Sequence, residues 1–341
     1  MKQEMEKSRL ILNFPRYIYD LMKSLGFFSN RKAKIGLTIF LCYVGLAIIG
    51  PFVAPYSPYN SSFPINLSPS FSHILGTDAY GRDIFSRLLY GAAPTLLTGL
   101  SVGFFATLIT MVVGITAGLK GGKLDALLDG FSYVFIIIPG IMFIILIGSL
   151  YIGRGITFGT WGIIAALTFT GWGWGSRVLR SQTKSLVTRN FILSSKLIGE
   201  SSISIIFRQV VKNIFPLIIS TFFFAAMYGV LGLTWIEFFG LGSITAVNWG
   251  TMLYWASSNT AYLSGEWWWY IPVSLLIAGL AVSFSLMNSG FDEIGNPSLK
   301  IYKKKKLLSK RAKAHNLSRS RGSIDRNSVS KNKPSDEVGG K

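Results

Sequence analysis

The chain has 341 residues, half of them hydrophobic, a mean hydropathy of +0.44 and only 14% charged residues. So much apolar content excludes a chain that is disordered throughout, yet 34 Lys and Arg against 15 Asp and Glu leave a formal net charge of +19. A single Cys (Cys42) and two distant His (His73, His315) exclude an intrachain disulfide framework and argue against Cys- or His-built metal sites.

A helix crosses a bilayer core of about 30 Å in about 20 apolar residues. Six stretches reach that length in chain order. Residues 35–54 carry no charge. Residues 95–119 are uncharged and rich in small side chains; Gly103, Ala106, Gly114, Ala117 and Gly118 would let helix backbones approach. Residues 131–152 contain Pro139-Gly140, and the proline should kink the helix. Residues 156–174 end in Gly171-Trp172-Gly173-Trp174. Residues 214–235 carry Pro216 in their first turn, and residues 267–287 open on three tryptophans. Buried helices of soluble proteins rarely run this long without a charge. The pattern predicts an all-α integral membrane protein with six transmembrane helices. The first span starts too late and is too long for a cleavable signal peptide.

Lys and Arg accumulate on the cytoplasmic side of a membrane. Eight lie in residues 1–34, seven in the loop 175–213 and fourteen from Lys300 onward, whereas the loop 236–266 has none. Both termini are therefore expected in the cytoplasm. The chain divides into a cytoplasmic N-terminal segment (1–34), a six-helix domain (35–290) and a basic cytoplasmic tail (291–341). Within the domain, the loops 55–94 and 236–266 face outward and the loop 175–213 faces inward.

Three loops are too specific to be simple connectors. The first reads Leu75-Gly76-Thr77-Asp78-Ala79-Tyr80-Gly81-Arg82-Asp83. Its glycines permit tight turns, and Asp78, Arg82 and Asp83 can pair with one another or with backbone donors, so a fold-stabilising cap is preferred to a substrate contact. The second contains Arg177 to Gln182 and then the run Asn190-Phe191-Ile192-Leu193-Ser194-Ser195, followed by Gly199-Glu200-Ser201. A short helix fits here, with Gly199 as its stop. Docking of a soluble partner and lying on lipid headgroups remain equal readings of it. The third runs from Phe238-Phe239-Gly240-Leu241-Gly242 to Asn248-Trp249-Gly250-Thr251-Met252-Leu253. Aromatic residues near it suggest sugar stacking, but an interfacial belt is preferred for Trp267 to Trp269; Trp249 and Trp255 stay open.

With these motifs the chain resembles the inner-membrane permease subunits of ABC importers of the dipeptide/oligopeptide/nickel group, in the C-type branch. The family's Leu-Gly-Thr-Asp-x-x-Gly-Arg-Asp loop is matched from Leu75 to Asp83, its Arg-Leu-Val-Arg-Gly-Gln stretch is similar to Arg177 to Gln182, and its Phe-Leu-Gly-Leu-Gly…Trp-Gly-x-Met-Leu pattern is similar to Phe238 to Leu253. The likeness covers roughly residues 27 to 297. The Glu-Ala-Ala of the family's signature is replaced by Leu193-Ser194-Ser195, while Gly199 is retained.

The resemblance implies type I ABC importer permease architecture and a multi-pass location in the cell (inner/plasma) membrane. It implies a coupling helix at 190–202, with Asn190, Phe191, Ile192, Leu193, Ser194, Ser195, Gly199, Glu200 and Ser201 at the ATPase contact. Gly76, Thr77, Asp78, Gly81, Arg82 and Asp83 become a structural motif. Implied partners are a second permease subunit, forming a heterodimer, two ATPase subunits, an extracytoplasmic substrate-binding protein and membrane lipid. No phosphate-binding loop occurs, since Gly121-Gly122-Lys123 is followed by Leu124 without a correctly spaced upstream Gly. ATP and Mg thus belong to the partner ATPases, and no catalytic residue, metal or cofactor is expected on this chain. Peptide or oligosaccharide is the expected substrate, with nickel also within the group's range.

Two rival readings stand beside this one. A stand-alone secondary transporter or channel would place ionisable groups inside its spans, and the six runs have essentially none. A membrane-tethered lipid or nucleic-acid binder would act through the tail with its run Lys303-Lys304-Lys305-Lys306. Nothing pairs that run with stacking aromatics, so attraction to anionic lipid is preferred over nucleic acid.

Overall fold

The computed structural model describes residues 30–152 and 159–295. The expected N-terminal segment up to residue 29, the first residues of the expected fourth span and the basic tail from residue 296 lie outside the described residues. The regular elements among the described residues are helices, with one isolated bridge between Thr77 and Asp83.

The helices, in chain order, are α1 (Arg31–Val53), α2 (Ile84–Lys120), α3 (Gly122–Ile137), α4 (Gly140–Ile152), α5 (Thr160–Gly171), α6 (Gly173–Val187), α7 (Asn190–Leu197), α8 (Ser202–Ile205), α9 (Val211–Phe238), α10 (Trp249–Ser258) and α11 (Trp267–Gly295). A five-residue π turn (Ile206–Val210) joins α8 to α9. Among the described residues four helices are long and apolar enough to cross a membrane, or five if the bent pair α3–α4 counts as one span. The bend there is 70° and falls at Pro139, because proline removes a backbone donor and clashes with the preceding turn.

Two expected boundaries change. α2 begins at Ile84, eleven residues ahead of the apolar run, and with 37 residues it reaches about 55 Å. The expected span 156–174 is the 12-residue α5, broken at Trp172 and carried on by the polar α6 to Val187. The first thirteen residues of the expected inner loop 175–213 are thus helical and packed on α2.

Small residues set the packing, as apolar helices in lipid must gain their contacts from close approach. α9 lies antiparallel on α2, with Gly99 against Val230 and Gly103 against Ala226. α6 lies on the second half of α2, where Gly114 faces the Ser176 carbonyl and Gly118 faces Thr183. Ala106 and Ala117 are buried in the same seams. α11 returns beside α1: Gly36 meets Met287, Gly290 meets Ala33, and the Tyr43 hydroxyl donates to the Leu276 carbonyl at 2.8 Å. The Asn30 side chain caps α1 and donates to the Gly290 carbonyl, while Lys32 Nζ lies 2.7 Å from Glu293 Oε1. The start of α1, the end of α2, α7 and the end of α11 therefore share one end of the bundle, called here the terminal end.

The aromatic residues do not form one belt. Trp267 is half exposed, but Trp269 is buried in the core with Ile84 and Leu88. Trp249 is fully enclosed; its Nε1 donates to the Leu88 carbonyl and its backbone N to Thr95 Oγ1. Trp255 Nε1 donates to the Ile244 carbonyl, and its ring meets Tyr80 edge-on. Enclosure leaves Trp249 no face for a sugar.

Candidate functional site

The terminal end carries the candidate coupling element. Ile192 is fully buried in a cluster with Ile115, Leu179, Val210 and Ile214, and so pins α7 to α2, α6 and α9. The neighbouring apolar side chains point the other way: Leu193 is 44% exposed, Leu197 88% and Ile198 82%. Phe191 is also exposed. Asn190 opens the helix and its carbonyl accepts from Ser194 Oγ. Gly199, at φ +80°, closes α7, and the Glu200 backbone N reaches back to the Ser195 carbonyl at 3.0 Å, which is the six-to-one bond of a Schellman cap.

A polar network holds this segment in shape. Gln209 Nε2 donates to Ser195 Oγ at 2.5 Å and to Glu200 Oε2 at 2.8 Å, and Ser204 Oγ donates to Glu200 Oε1 at 2.6 Å. Ser201 Oγ accepts from the Ser204 backbone N. Gln209 sits in the π turn, a feature over-represented at functional positions. Hydrogen bonds from Ser204 and then Ser195 hold the Glu200 carboxyl below the ordinary glutamate range.

Behind α7, α6 is locked to α3 by charge. Arg180 contacts Asp125 with two nitrogens, Lys184 Nζ lies 2.6 Å from Asp125 Oδ2, and Arg177 Nε donates to Asp129 at 3.2 Å. The Arg177 guanidinium also stacks over the Tyr133 ring at 3.9 Å. This basic stretch, read from sequence as part of a loop, is the face of a helix paired with the acids of another helix.

At the opposite end, residues 54–83 fold into a compact cap. Gly76 and Gly81 both have φ +68°, and the carbonyls of Leu67 and Phe63 approach them so closely that a Cβ would collide. Thr77 Oγ1 donates to the Pro64 carbonyl and accepts from the Leu67 N. Asp78 accepts from the backbone N of Tyr80 and Arg82 and from Arg82 Nε at 2.6 Å. Asp83 is fully buried and is the N-cap of α2; its Oδ2 accepts from Ser86 N and Oγ, and its Oδ1 lies 2.8 Å from His73 Nδ1. The Arg82 guanidinium rests over Tyr80 and Trp255, so the cap is joined to α10. Asp78 and Asp83 thus find their partners within the chain, whereas Arg82 Nη2 is buried without a hydrogen-bond partner among the described residues.

Two cavities open along α9. One, about 500 Å³, lies toward the terminal end and is lined by Trp174, Thr221, Phe224, Ser220, Asn288 and Asp292. Ser220 Oγ donates to Asp292 Oδ1, and Asn288 donates to the Ser220 carbonyl. The other, about 300 Å³, lies at the opposite end between α2, α5 and α9, with Glu237 in its wall. Neither Asp292 nor Glu237 was visible as a site from the sequence, because each lies at the edge of an otherwise apolar run.

Comparison with known proteins decides the family. A model of the inner membrane component of binding-protein-dependent transport systems matches residues 110–292. A model of the N-terminal transmembrane domain of oligopeptide transport permease C matches residues 25–69. The chain belongs to the binding-protein-dependent ABC permease family, in its C-type branch. This permease is 32% identical over 286 residues to the dipeptide transport system permease protein DppC of Bacillus subtilis, covering 83% of this chain and 87% of that protein. It is 27% identical over 280 residues to the oligopeptide transport system permease protein OppC of the same organism, covering 81% and 88%. A putative peptide permease of Brucella suis is 28% identical over 261 residues, covering 76% and 85%. A permease of this family is a multi-pass inner-membrane protein, in agreement with the long apolar helices.

Proposed function

We propose that this chain is one permease half of an ATP-driven peptide importer. It lines half of the translocation pathway, pairs with a second permease subunit, and takes peptide from an extracytoplasmic binding protein. ATP and Mg act on two separate ATPase subunits, one of which docks on α7. The terminal end, and with it both chain termini, faces the cytoplasm; the cap 54–83 and the loop after α9 face outward. The peptide assignment is supported by the dipeptide, oligopeptide and peptide transport named for the relatives.

One observation carries the coupling role. α7 buries Ile192 and leaves Leu193, Leu197 and Ile198 uncovered on a short, tied-down helix, and an apolar face on a rigid helix fits a groove of a soluble partner. Because α6 leads directly into α7 and is locked to α3, a push on α7 would move α6 and α3 as one body, which is how a central cavity can be switched between two openings. Replacing Leu197 and Ile198 by Asp should abolish copurification with the ATPase and leave melting of the permease unchanged. Solute movement by the purified chain without any ATPase would sink this reading.

A further inference from the structure

The cavity at the outer end contains a carboxyl group with no cation paired to it among the described residues. Glu237 ends α9 and is 3% exposed. Its Oε1 accepts from Asn248 Nδ2 at 3.2 Å, and its Oε2 has no hydrogen-bond partner among the described residues. No Lys, Arg or His lies within ion-pair distance of it among the described residues. The glycines Gly242 and Gly250 leave room for it, since a Cβ at either would strike the Glu237 side chain. A buried carboxyl with an unpaired oxygen is costly to ionise, and a positively charged occupant beside it would stabilise the ionised form.

The walls specify what kind. Tyr59, Tyr90, Thr98, Thr160 and Asn248 join Glu237 in lining about 300 Å³. They supply hydroxyls, an amide and aromatic rings, the groups that hold an ammonium by hydrogen bonds and by its attraction to a ring face. The Arg87 guanidinium donates to the carbonyl of Pro58, a residue of the wall, at 2.9 Å, and Arg87 itself does not line the cavity. A metal ion fits poorly, because no group of three His, Cys, Asp or Glu side chains is gathered among the described residues. The cavity is contributed by the cap, α2, α5, α9 and the loop before α10.

We propose that this outer cavity binds a primary ammonium group against Glu237, and that in transport the group is the free N-terminus of the incoming peptide. The second half rests on the peptide-import reading above; the first does not.

The test uses the assembled transporter in nanodiscs and saturation-transfer NMR with n-butylammonium, with n-butanol as the neutral control. Saturation should reach n-butylammonium and not n-butanol, and fall at least fivefold in Glu237→Gln, which keeps the acceptor for Asn248. Tyr59→Leu removes a ring that is 68% exposed and keeps an apolar wall, so it should weaken the signal severalfold without a change in melting. Equal saturation in wild type and Glu237→Gln, or transfer to n-butanol as strong as to n-butylammonium, overturns the ammonium site. Tri-alanine should displace n-butylammonium and N-acetyl-tri-alanine should not. Displacement by neither peptide, with the Glu237-dependent signal intact, overturns the peptide half alone.

Discussion

Arg180 grips Asp125 with two nitrogens, Nε at 2.5 Å from Oδ1 and Nη2 at 3.1 Å from Oδ2. The pair joins α6 to α3, 55 residues apart in sequence, beside the candidate coupling helix. Lys184 brings a second positive charge to the same carboxylate. A helix face with three basic residues can lie at the membrane edge because the next helix carries the two matching acids.

The planar fork is what makes this joint stiff. Arg180→Lys offers a single point charge and cannot bridge both oxygens. We expect Arg180→Lys and Asp125→Asn each to cost about 2 kcal/mol, typical of a hydrogen bond to a charged group. Thermal unfolding of the purified complex reads the loss. Exchanging the two residues should recover part of it, and a swap no better than the single variants would contradict the pairing.

The seam between α2 and α9 allows a second expectation. At Gly103 a Cβ would already sit 2.9 Å from Ala226 Cβ and 3.0 Å from the Phe222 carbonyl. Gly103→Leu should therefore force the helices apart and cost about 1–3 kcal/mol, the usual range for overpacking. Gly45 on α1 has nothing within 4 Å of its Cβ position, so Gly45→Leu should stay within about 0.5 kcal/mol of wild type. Monodisperse yield and melting temperature compare the two directly.

The cap at the outer end should depend on Asp83. Removing an N-cap side chain costs about 1 kcal/mol in the typical case. Here Asp83→Ala also strips Ser86 Oγ and His73 Nδ1 of their buried partner, so a larger loss is expected than for Asp83→Asn, which keeps an acceptor for Ser86 N. Denaturant or heat unfolding of the two variants tests the order, and equal losses would deny the cap its side-chain role.

The parts of this fold that were readable from sequence are those where one segment carries its own signal. Charge-free runs marked the long helices, Pro139 marked the bend, and Gly103, Gly114 and Gly118 marked the seams of α2. What stayed hidden depends on partners far along the chain. Arg87 made residues 84–94 look like loop, yet it is buried and bonded to Pro58. Arg177, Arg180 and Lys184 read as a solvated loop until α3 supplied Asp125 and Asp129. The π turn that brings Gln209 to Ser195 and Glu200 has no local sequence mark, and composition could not separate the buried Trp249 and Trp269 from the exposed Trp267.

The last expectation concerns pH at the coupling element. Hydrogen bonds from Ser204 and Ser195 hold the Glu200 carboxyl below its ordinary value, so its ionised form is favoured in the folded state. A carboxyl depressed on folding contributes stability that is present above its unfolded pKa, about 4.3 for glutamate, and that is lost as pH falls through the lower folded value. Acidification below about pH 4 should therefore loosen the turn that links α7 to the π turn, while neutral and mildly alkaline pH leave it closed. Hydrogen exchange across residues 195–209 should speed up in that acid range in the wild type. Glu200→Gln keeps one acceptor oxygen, which Ser204 Oγ can use, and has no ionisable group, so the acid-dependent increase should vanish. An identical acid response in both proteins would assign the loosening to another carboxylate.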